Sequence, residues 1–399
     1  MRKLELLSPA GDLERTKMAV AYGADAVYLS GPGYGMRAVG LMGMEDLAAA
    51  IRFCHERGVK AYVTCNTVPT EEEIHRLPDY LRTLEAMGAD AVIISDMGVM
   101  RLCKKHIPHV PIHISTQAGV MNSAAATALY ELGASRVIPA RELTLEELRL
   151  LRKNTPPGLE IEVFVHGSMC VSFSGRCLLS NYMTGRDANR GQCAQSCRWS
   201  YALMEEKRPG EFFPIEETER GTFILNSRDM CLIDHIGEIY EAGADSIKIE
   251  GRGKSAYYAA TVTNAYRHAV DAALAGEPLA EQWRQEVEQV SHRPYSTGFY
   301  YGYPGQHTAE SEYSSGSEFI AVVEECDAEG HAVVHQRNRF MPGDELELMM
   351  PRSGIEAFCC GELTDTDGLP LQVANRPMQC VRMTLPCKAP KWSILRRRK

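Results

Sequence analysis

The sequence predicts an α/β fold in which a (β/α)₈ barrel of the TIM type carries a long insertion after strand 7. A small antiparallel β-barrel is expected to follow it. Three observations lead to this prediction. A phrase that joins a helix end to a short apolar run recurs four times in the first 250 residues. Amphipathic helical stretches and further buried-strand patterns lie between the copies. After about residue 310 the chain changes to short alternating strands without a helical segment.

The recurring phrase reads YGADAVYLS, MGADAVIIS, LGASRVIPA and AGADSIKIE. Its glycine occupies the place where a helix end favours a left-handed residue, and the run after it has the length of a buried parallel strand. The four glycines are Gly23, Gly88, Gly133 and Gly243. A doubly wound open sheet would alternate in the same way. No glycine-rich dinucleotide turn follows the first strand, however, and this favours the barrel.

We therefore predict two domains, with the barrel in residues 1–305, a cysteine-rich insertion at 167–243, and the β-barrel in residues 306–399. The second domain ends in a basic tail, KAPKWSILRRRK. A net charge of −9 argues against a general nucleic-acid coat protein, although a local basic patch is compatible with a polyanionic partner. No apolar run approaches the roughly 20 residues that span a bilayer, and no signal peptide is apparent. We expect a cytoplasmic protein without a membrane partner.

Five of the thirteen cysteines fall between residues 170 and 231. Without an export signal, such clustering indicates metal or redox chemistry rather than disulfides. Cys170, Cys177, Cys193 and Cys231 lack the paired knuckles of structural zinc sites, and four thiolates from irregular loops suit an iron–sulfur cluster. Cys197 is a fifth candidate, and its C-x₃-C pairing with Cys193 keeps a zinc site open. The remaining eight cysteines are expected to be small packing residues.

The predicted eighth strand runs out as KIEGRGKSAYY, which places Lys248 and Arg252 at the barrel mouth near Arg228. Guanidinium groups bind carboxylates through paired hydrogen bonds, so an anionic small molecule is a reasonable ligand. The alternative is that these bases pair with Glu250 and Asp229. The same face should receive polar side chains from strand ends: Ser8, Asn66, Gln117, Arg141, His166, Asn226 and Glu250.

No protease or nucleotide-binding signature is present. The sequence lacks H-E-x-x-H, a G-x-S-x-G elbow and a Walker loop. His166 and Ser168 could be imagined as a hydrolytic pair, but nothing in the sequence supplies the third, orienting group.

The string EVFVHGSMCVSFSGRCLLS resembles the signature of the collagenase-like peptidases of family U32. ELLSPAG, NSRD, IKIEGRGKS, TGFYYG and NRFMPGDELEL are similar to the same family, so the resemblance covers nearly the whole chain. It implies oxygen-independent hydroxylation with a [4Fe-4S] cluster and with prephenate as the hydroxyl source. The branch that the chain resembles most acts on the wobble uridine of tRNA. Carried over to this sequence, the cluster ligands would be Cys170, Cys177, Cys193 and Cys231, with Cys197 outside.

We therefore expect a tRNA uridine 5-hydroxylation enzyme whose site residues are Arg252, Lys248, Arg228, Glu250 and His166. The three basic residues would bind the carboxylates of prephenate, and a flipped uridine would enter beside them. Expected partners are tRNA, the small dicarboxylate donor and a paralogous partner subunit. One alternative is a peptidase that acts on collagen-like chains, and another is a non-catalytic RNA-binding or scaffold subunit with a structural cluster.

Overall fold

The computed structural model describes residues 3–35, 41–170, 172–174, 177–188, 191–199, 227–304 and 314–399, and the backbone of four two-residue strands between residues 203 and 222. Within this part of the chain, no helix has the length and apolar character needed to cross a membrane.

Eight parallel strands close into a barrel, which confirms the predicted fold class. Each strand pairs with the next one along the chain, and the eighth pairs with both the seventh and the first. The barrel strands are β1 (Glu5–Pro9), β2 (Ala26–Leu29), β3 (Lys60–Cys65), β4 (Ala91–Ile94), β5 (Ile112–Ile114), β6 (Arg136–Val137), β7 (Glu160–Ser168) and β13 (Ser246–Ile249). The described residues between β7 and β13 form five short strands: β8 (Leu203–Met204), β9 (Phe212–Phe213), β10 (Glu217–Thr218), β11 (Gly221–Thr222) and β12 (Asp229–Cys231).

Helices cover the outside of the barrel, so its strands are buried on both faces. The helices are α1 (Leu13–Ala21), α2 (Met44–His55), α3 (Glu71–Ala86), α4 (Met97–His106), α5 (Ser123–Glu131), α6 (Leu145–Lys153), α7 (Leu179–Thr184), α8 (Ile236–Glu241), α9 (Ala256–Ala275) and α10 (Glu281–Glu286). Capping boxes begin α3 and α6, where Thr70 pairs with Glu73 and Thr144 pairs with Glu147.

The recurring phrase connects each helix end to the neighbouring strand. Its glycines are all left-handed, with φ of 106° at Gly23, 84° at Gly88, 104° at Gly133 and 101° at Gly243. In three copies the aspartate accepts a backbone N–H from the preceding barrel strand: Asp25 from Leu6 (3.0 Å), Asp90 from Ala61 (2.7 Å) and Asp245 from Ile161 (2.9 Å). The phrase therefore ends a helix and also positions the strand that follows it.

Strand β7 is longer than its neighbours and contains a β-bulge. Phe164 lies opposite Lys248 of β13, yet His166 lies opposite Ile249, so β7 has one extra residue, Val165. The end of β7 pairs antiparallel with β12, which in turn pairs with β14 (Tyr295–Ser296). The bulge reverses the inward and outward alternation of side chains beyond Phe164.

A separate antiparallel domain follows the barrel, as the sequence predicted. Its strands are β15 (Ser317–Cys326), β16 (His331–Gln336), β17 (Glu345–Met349), β18 (Ile355–Cys359), β19 (Leu363–Thr364), β20 (Pro370–Leu371), β21 (Cys380–Thr384) and β22 (Ile394–Arg398). They form one sheet in the order β18-β17-β22-β15-β16-β21-β19-β20. The sheet encloses its own core, which includes Val323, Phe340 and Leu348.

The basic tail is an internal strand of this sheet, β22, rather than a solvated arm. Its three arginines have carboxylate partners: Arg396 with Glu286 and Glu347, Arg397 with Glu318 and Asp344, and Arg398 with Glu347. Arg396 is fully buried, and its bond to Glu286 of α10 joins the second domain to the barrel. Carboxylates of the chain therefore neutralise the three arginines of this tail.

Candidate functional site at the barrel mouth

A cavity of about 1170 Å³, counting the space at its open mouth, lies at the carboxyl ends of the barrel strands. This is the face on which barrel enzymes build their sites. The strand ends contribute polar side chains, among them Asn66, Ser115, Gln117, Arg141 and Glu250. The insertion after β7 provides the opposite wall. The cavity therefore joins the barrel and the cysteine-rich segment.

Four cysteines of the insertion line this cavity, namely Cys170, Cys177, Cys193 and Cys197. The wall that carries them is held by local hydrogen bonds. Glu142, just beyond β6, accepts from the backbone N–H of Ser174 at 3.0 Å, and Ser180 of α7 accepts from the N–H of Ala194 at 2.9 Å. Three of the four predicted cluster ligands thus share one wall with Cys197.

Cys231, the fourth predicted ligand, is not among the residues that line the cavity. It pairs directly with His166 across β7 and β12, so both side chains leave the sheet on the same face. Its sulfur lies 3.8 Å from the hydroxyl of Tyr266 on α9. Burial raises the pKa of the Cys231 thiol to about 11. The structure places Cys197 at the cavity and Cys231 behind it.

His166, a predicted site residue, is also absent from the cavity lining. Its ring is enclosed by the rings of Tyr258, Tyr266 and Tyr295, with centroids 6.0, 5.3 and 5.3 Å away. Burial lowers the pKa of His166 to about 3, so the imidazole is neutral at physiological pH. The bulge at Val165 explains the difference, because it turns His166 away from the face that Phe164 occupies. The prediction of His166 at the site is corrected by this geometry.

Lys248 lines the cavity but is already paired. Its Nζ lies 2.9 Å from Glu162, which also bonds Arg136 at 2.9 Å. Arg136 reaches Glu5 at 2.6 Å, and Tyr62 donates to the same carboxylate at 2.7 Å. Burial raises the pKa of Glu162, but Lys248 and Arg136 outweigh that effect and hold it below its ordinary value. These groups form the floor of the barrel, so Lys248 is a charge-balanced floor residue rather than an unpaired cation.

Arg252 and Glu250 both line the cavity, as predicted. Arg252 is 2% exposed and donates from Nη1 to Thr64 of β3 at 2.7 Å, so its side chain crosses the mouth from the end of β13. Arg228, by contrast, is not among the lining residues. The carboxylate of Asp229 is bound by the buried guanidinium of Arg293. The predicted trio of bases is therefore reduced to Arg252 and the paired Lys248.

Several lining residues had no assigned role in the sequence. Asn66, Gln117 and Arg141 were expected only as polar strand ends, and Thr64 and Ser115 were not singled out. Of the other strand-end residues, Ser8 lies away from the cavity, where its hydroxyl accepts a bond from Thr263 at 3.0 Å. Asn226 lies outside the described residues. Asn66, Gln117 and Arg141 could have been identified from the sequence only by their position, because each follows a barrel strand.

The comparisons with known proteins match this architecture. The family model described as peptidase family U32 matches residues 11–310, and that of the family's C-terminal domain matches residues 315–396. The chain is 37% identical to the tRNA hydroxylation protein P1 of Bacillus subtilis over 100% of its own length and 96% of that protein. Identity to the tRNA hydroxylation protein P of Escherichia coli is 37%, covering 97% and 94%. A collagenase of Porphyromonas gingivalis is 33% identical, covering 75% and 73%. The chain belongs to peptidase family U32.

Proposed function

We propose that this protein is an RNA-modifying enzyme that hydroxylates C5 of the wobble uridine in tRNA without molecular oxygen. In this proposal prephenate supplies the hydroxyl group and a [4Fe-4S] cluster is the resident cofactor. The observation that carries the proposal is the cavity at the barrel mouth, whose lining includes four cysteines and two arginines, Arg141 and Arg252. Relatives named tRNA hydroxylation proteins align over almost the whole chain, which supports RNA as the substrate.

The donor set at the cavity fits a cluster better than a single ion. A tetrahedral zinc with Zn–S bonds of about 2.3 Å needs thiolates about 3.8 Å apart. Among the described residues, no three ligand atoms that include a cysteine sulfur lie within 4.8 Å of one another. A cluster binds each thiolate through a different iron and so needs a wider cage. When bound, it would supply redox-active, Lewis-acidic iron beside the donor.

Cys170, Cys177 and Cys193 would hold three of the irons. The family resemblance makes Cys231 the fourth ligand, whereas the geometry offers Cys197, which lines the cavity with the other three. Single alanine variants at Cys197 and Cys231, compared by iron and sulfide content, decide between them.

The other lining residues have roles that follow from their chemistry. Arg252 is a permanent cation suited to a carboxylate of the donor. The paired Lys248 and Glu162 close the floor and keep the bottom of the site electrically balanced. Glu250 is the one carboxylate among the described lining residues, so we assign it the proton that leaves C5 of the uracil. The exchange of hydrogen for hydroxyl oxidises the uracil by two electrons, and in this proposal the donor fragment that gives up its hydroxyl group keeps those electrons and takes the proton from Glu250.

The insertion that walls the cavity exposes aromatic residues suited to an unstacked RNA loop. Phe173, which lines the cavity, is 40% exposed, and Tyr182 and Trp199 of the same insertion are 81% and 43% exposed. Arg186 of the insertion is also exposed. Aromatic faces stack on the bases of single-stranded RNA, while arginine binds phosphate. A base inside a stacked loop cannot reach the cavity, so the uridine would have to flip out.

The decisive experiment is nucleoside analysis of tRNA from a strain that lacks the gene. We expect the loss of 5-hydroxyuridine and its derivatives, with restoration by the wild-type gene but not by a Glu250→Gln variant. Unchanged nucleosides would refute the proposal. Restoration by the Glu250→Gln variant would instead favour a scaffold role. The peptidase alternative predicts cleavage of gelatin by the purified protein and an unaltered nucleoside profile.

A further inference from the structure

Charged residues of both signs line the cavity. Its charged residues are Arg141, Lys248, Arg252 and Glu250. Glu162 on the floor balances Lys248, which leaves two arginines and one glutamate as the other charged residues of the described lining. Guanidinium groups bind carboxylates through paired, charge-assisted hydrogen bonds. The cavity is therefore suited to an anionic ligand.

Arg141 lies on the segment that follows β6, and no carboxylate of the described residues is within 4.0 Å of it. Its Nη1 donates to the backbone carbonyl of Ser168 at 3.0 Å, while its Nε is buried without a hydrogen-bond partner in the described part of the chain. Its guanidinium lies 5.4 Å from the ring of Phe164. Buried guanidinium N–H groups need acceptors, and an oxygen of a bound anion would provide one.

Gln117 supplies a complementary group on the adjacent loop. Its Oε1 is buried and accepts no hydrogen bond from the described residues. The loop after β5 that carries it is tied to the Arg141 segment, because Thr116 donates to the carbonyl of Pro139 at 2.9 Å. An amide oxygen without a donor is satisfied by a ligand hydroxyl or N–H group. The two loops together present a cation and a hydrogen-bond acceptor to the same cavity.

We propose that Arg141 and Gln117 form the recognition site for the hydroxyl donor. Arg141 binds one carboxylate through paired, charge-assisted hydrogen bonds, and Gln117 accepts a hydrogen bond from the donor's hydroxyl group. Arg252, at the end of β13, faces the second carboxylate. The ligand class is thus a hydroxylated dicarboxylate. This assignment rests on the proposed function and replaces Arg228, which does not line the cavity.

Calorimetric titration of prephenate into the full-length, cluster-loaded protein under anaerobic conditions tests the site. Arg141→Gln should weaken binding about tenfold to a hundredfold, and Gln117→Leu should weaken it about fivefold. Arg228→Gln is the matched control and should bind as the wild type does. Phenylpyruvate, which lacks both the ring carboxylate and the hydroxyl group, should bind weakly to every variant.

A structural role for Arg141 makes a different prediction. If Arg141 only tethers the carbonyl of Ser168, Arg141→Gln should lower the melting temperature or the iron content and leave prephenate affinity unchanged. Arg141→Lys keeps a cation for the tether, so under our proposal it retains iron and melting temperature while recovering only part of the affinity. Equal affinity in the wild type and both variants overturns the proposal.

A wild-type protein that binds no prephenate also overturns the site. That result leaves tRNA hydroxylation standing if the deletion strain still loses 5-hydroxyuridine. Unchanged nucleosides in that strain refute the proposed function itself, whatever the titration gives.

Discussion

The floor and the mouth of the barrel both contain buried charged groups, but the two regions differ in how those groups are paired. On the floor, Glu5, Arg136, Glu162 and Lys248 satisfy one another within the chain. At the mouth, polar atoms of Arg141 and Gln117 have no protein partner among the described residues. Buried polar groups in folded proteins are nearly always paired. The comparison teaches that the charged groups of the floor are paired within the chain, whereas under our proposal a bound ligand supplies partners at the mouth.

The largest effect is expected from the cysteines of the mouth. Replacing Cys170, Cys177 or Cys193 singly by alanine should remove the visible colour, the bound iron and sulfide, and the hydroxylated uridine. Cys54 is fully buried in α2, and its alanine variant should keep its colour as the control. Metal and sulfide analysis of anaerobically purified protein provides the measurement.

Stoichiometric zinc without sulfide in the wild-type protein would contradict the cluster. The same metal and sulfide analysis identifies the fourth cysteine ligand of the cluster. If Cys197→Ala loses the cluster and Cys231→Ala keeps it, the geometric assignment holds, and the reverse result supports the ligand set implied by the resemblance.

On the floor, Glu162→Gln should be strongly destabilising, because it removes the carboxylate that pairs with the buried Lys248 and one of the carboxylates that pair with Arg136. We expect a loss of about 3–5 kcal/mol in the free energy of unfolding. Glu160, which bonds the same arginine but is half exposed, is the matched control, and Glu160→Gln should cost less than about 1 kcal/mol. Urea denaturation measures both. Equal losses would mean that burial does not distinguish the two carboxylates.

The pH dependence follows from the same pair. The pKa of Glu162 is lower in the folded protein than its ordinary value of 4.5, so the unfolded chain binds the proton more readily. The stabilisation is therefore present above pH 4.5 and is lost as the pH falls through the folded pKa. Glu162→Gln should flatten this acid limb of the stability curve.

At the mouth, Arg252→Lys should retain the fold and the cluster but lose hydroxylated uridine. Lysine keeps the charge yet replaces paired bonds to a carboxylate by one point contact. The expected cost is about 1.5–3 kcal/mol, or roughly tenfold to a hundredfold in donor affinity. Melting temperature, visible spectrum and nucleoside content are measured on one variant. Full hydroxylation, or loss of colour together with activity, would contradict a donor-binding role.

The smallest effect is expected at the exposed aromatic residues of the insertion. Tyr182→Ala should weaken tRNA binding about fivefold without changing the colour, because one stacking surface is lost. Tyr182→Phe keeps the ring and should bind as the wild type does. Filter binding at one fixed salt concentration measures both, since phosphate contacts vary with salt. Equal affinity of the two variants would remove Tyr182 from the RNA surface.

Much of the fold was predictable because its signals are local. The glycines of the recurring phrase need a left-handed conformation at each helix end, and all four adopt it. The cysteines could be grouped from their clustering, and three of the four predicted ligands do line one cavity. The chosen bases were less predictable. Arg228 directly precedes β12, Lys248 lies in β13 and Arg252 follows β13. Of the three, only Lys248 and Arg252 line the cavity, and Lys248 is already paired with Glu162.

The sequence by itself determined the barrel, the antiparallel second domain and the segment that supplies the cysteines, because periodicity, helix caps and spacing act over a few residues. Only the tertiary structure decided which side chains face the cavity. A single extra residue, Val165, turns His166 away, and β12 places Cys231 on the same side as His166. The partner of Lys248, Glu162, comes from 86 residues away in the chain. Such pairing depends on closure of the barrel, which no local pattern encodes.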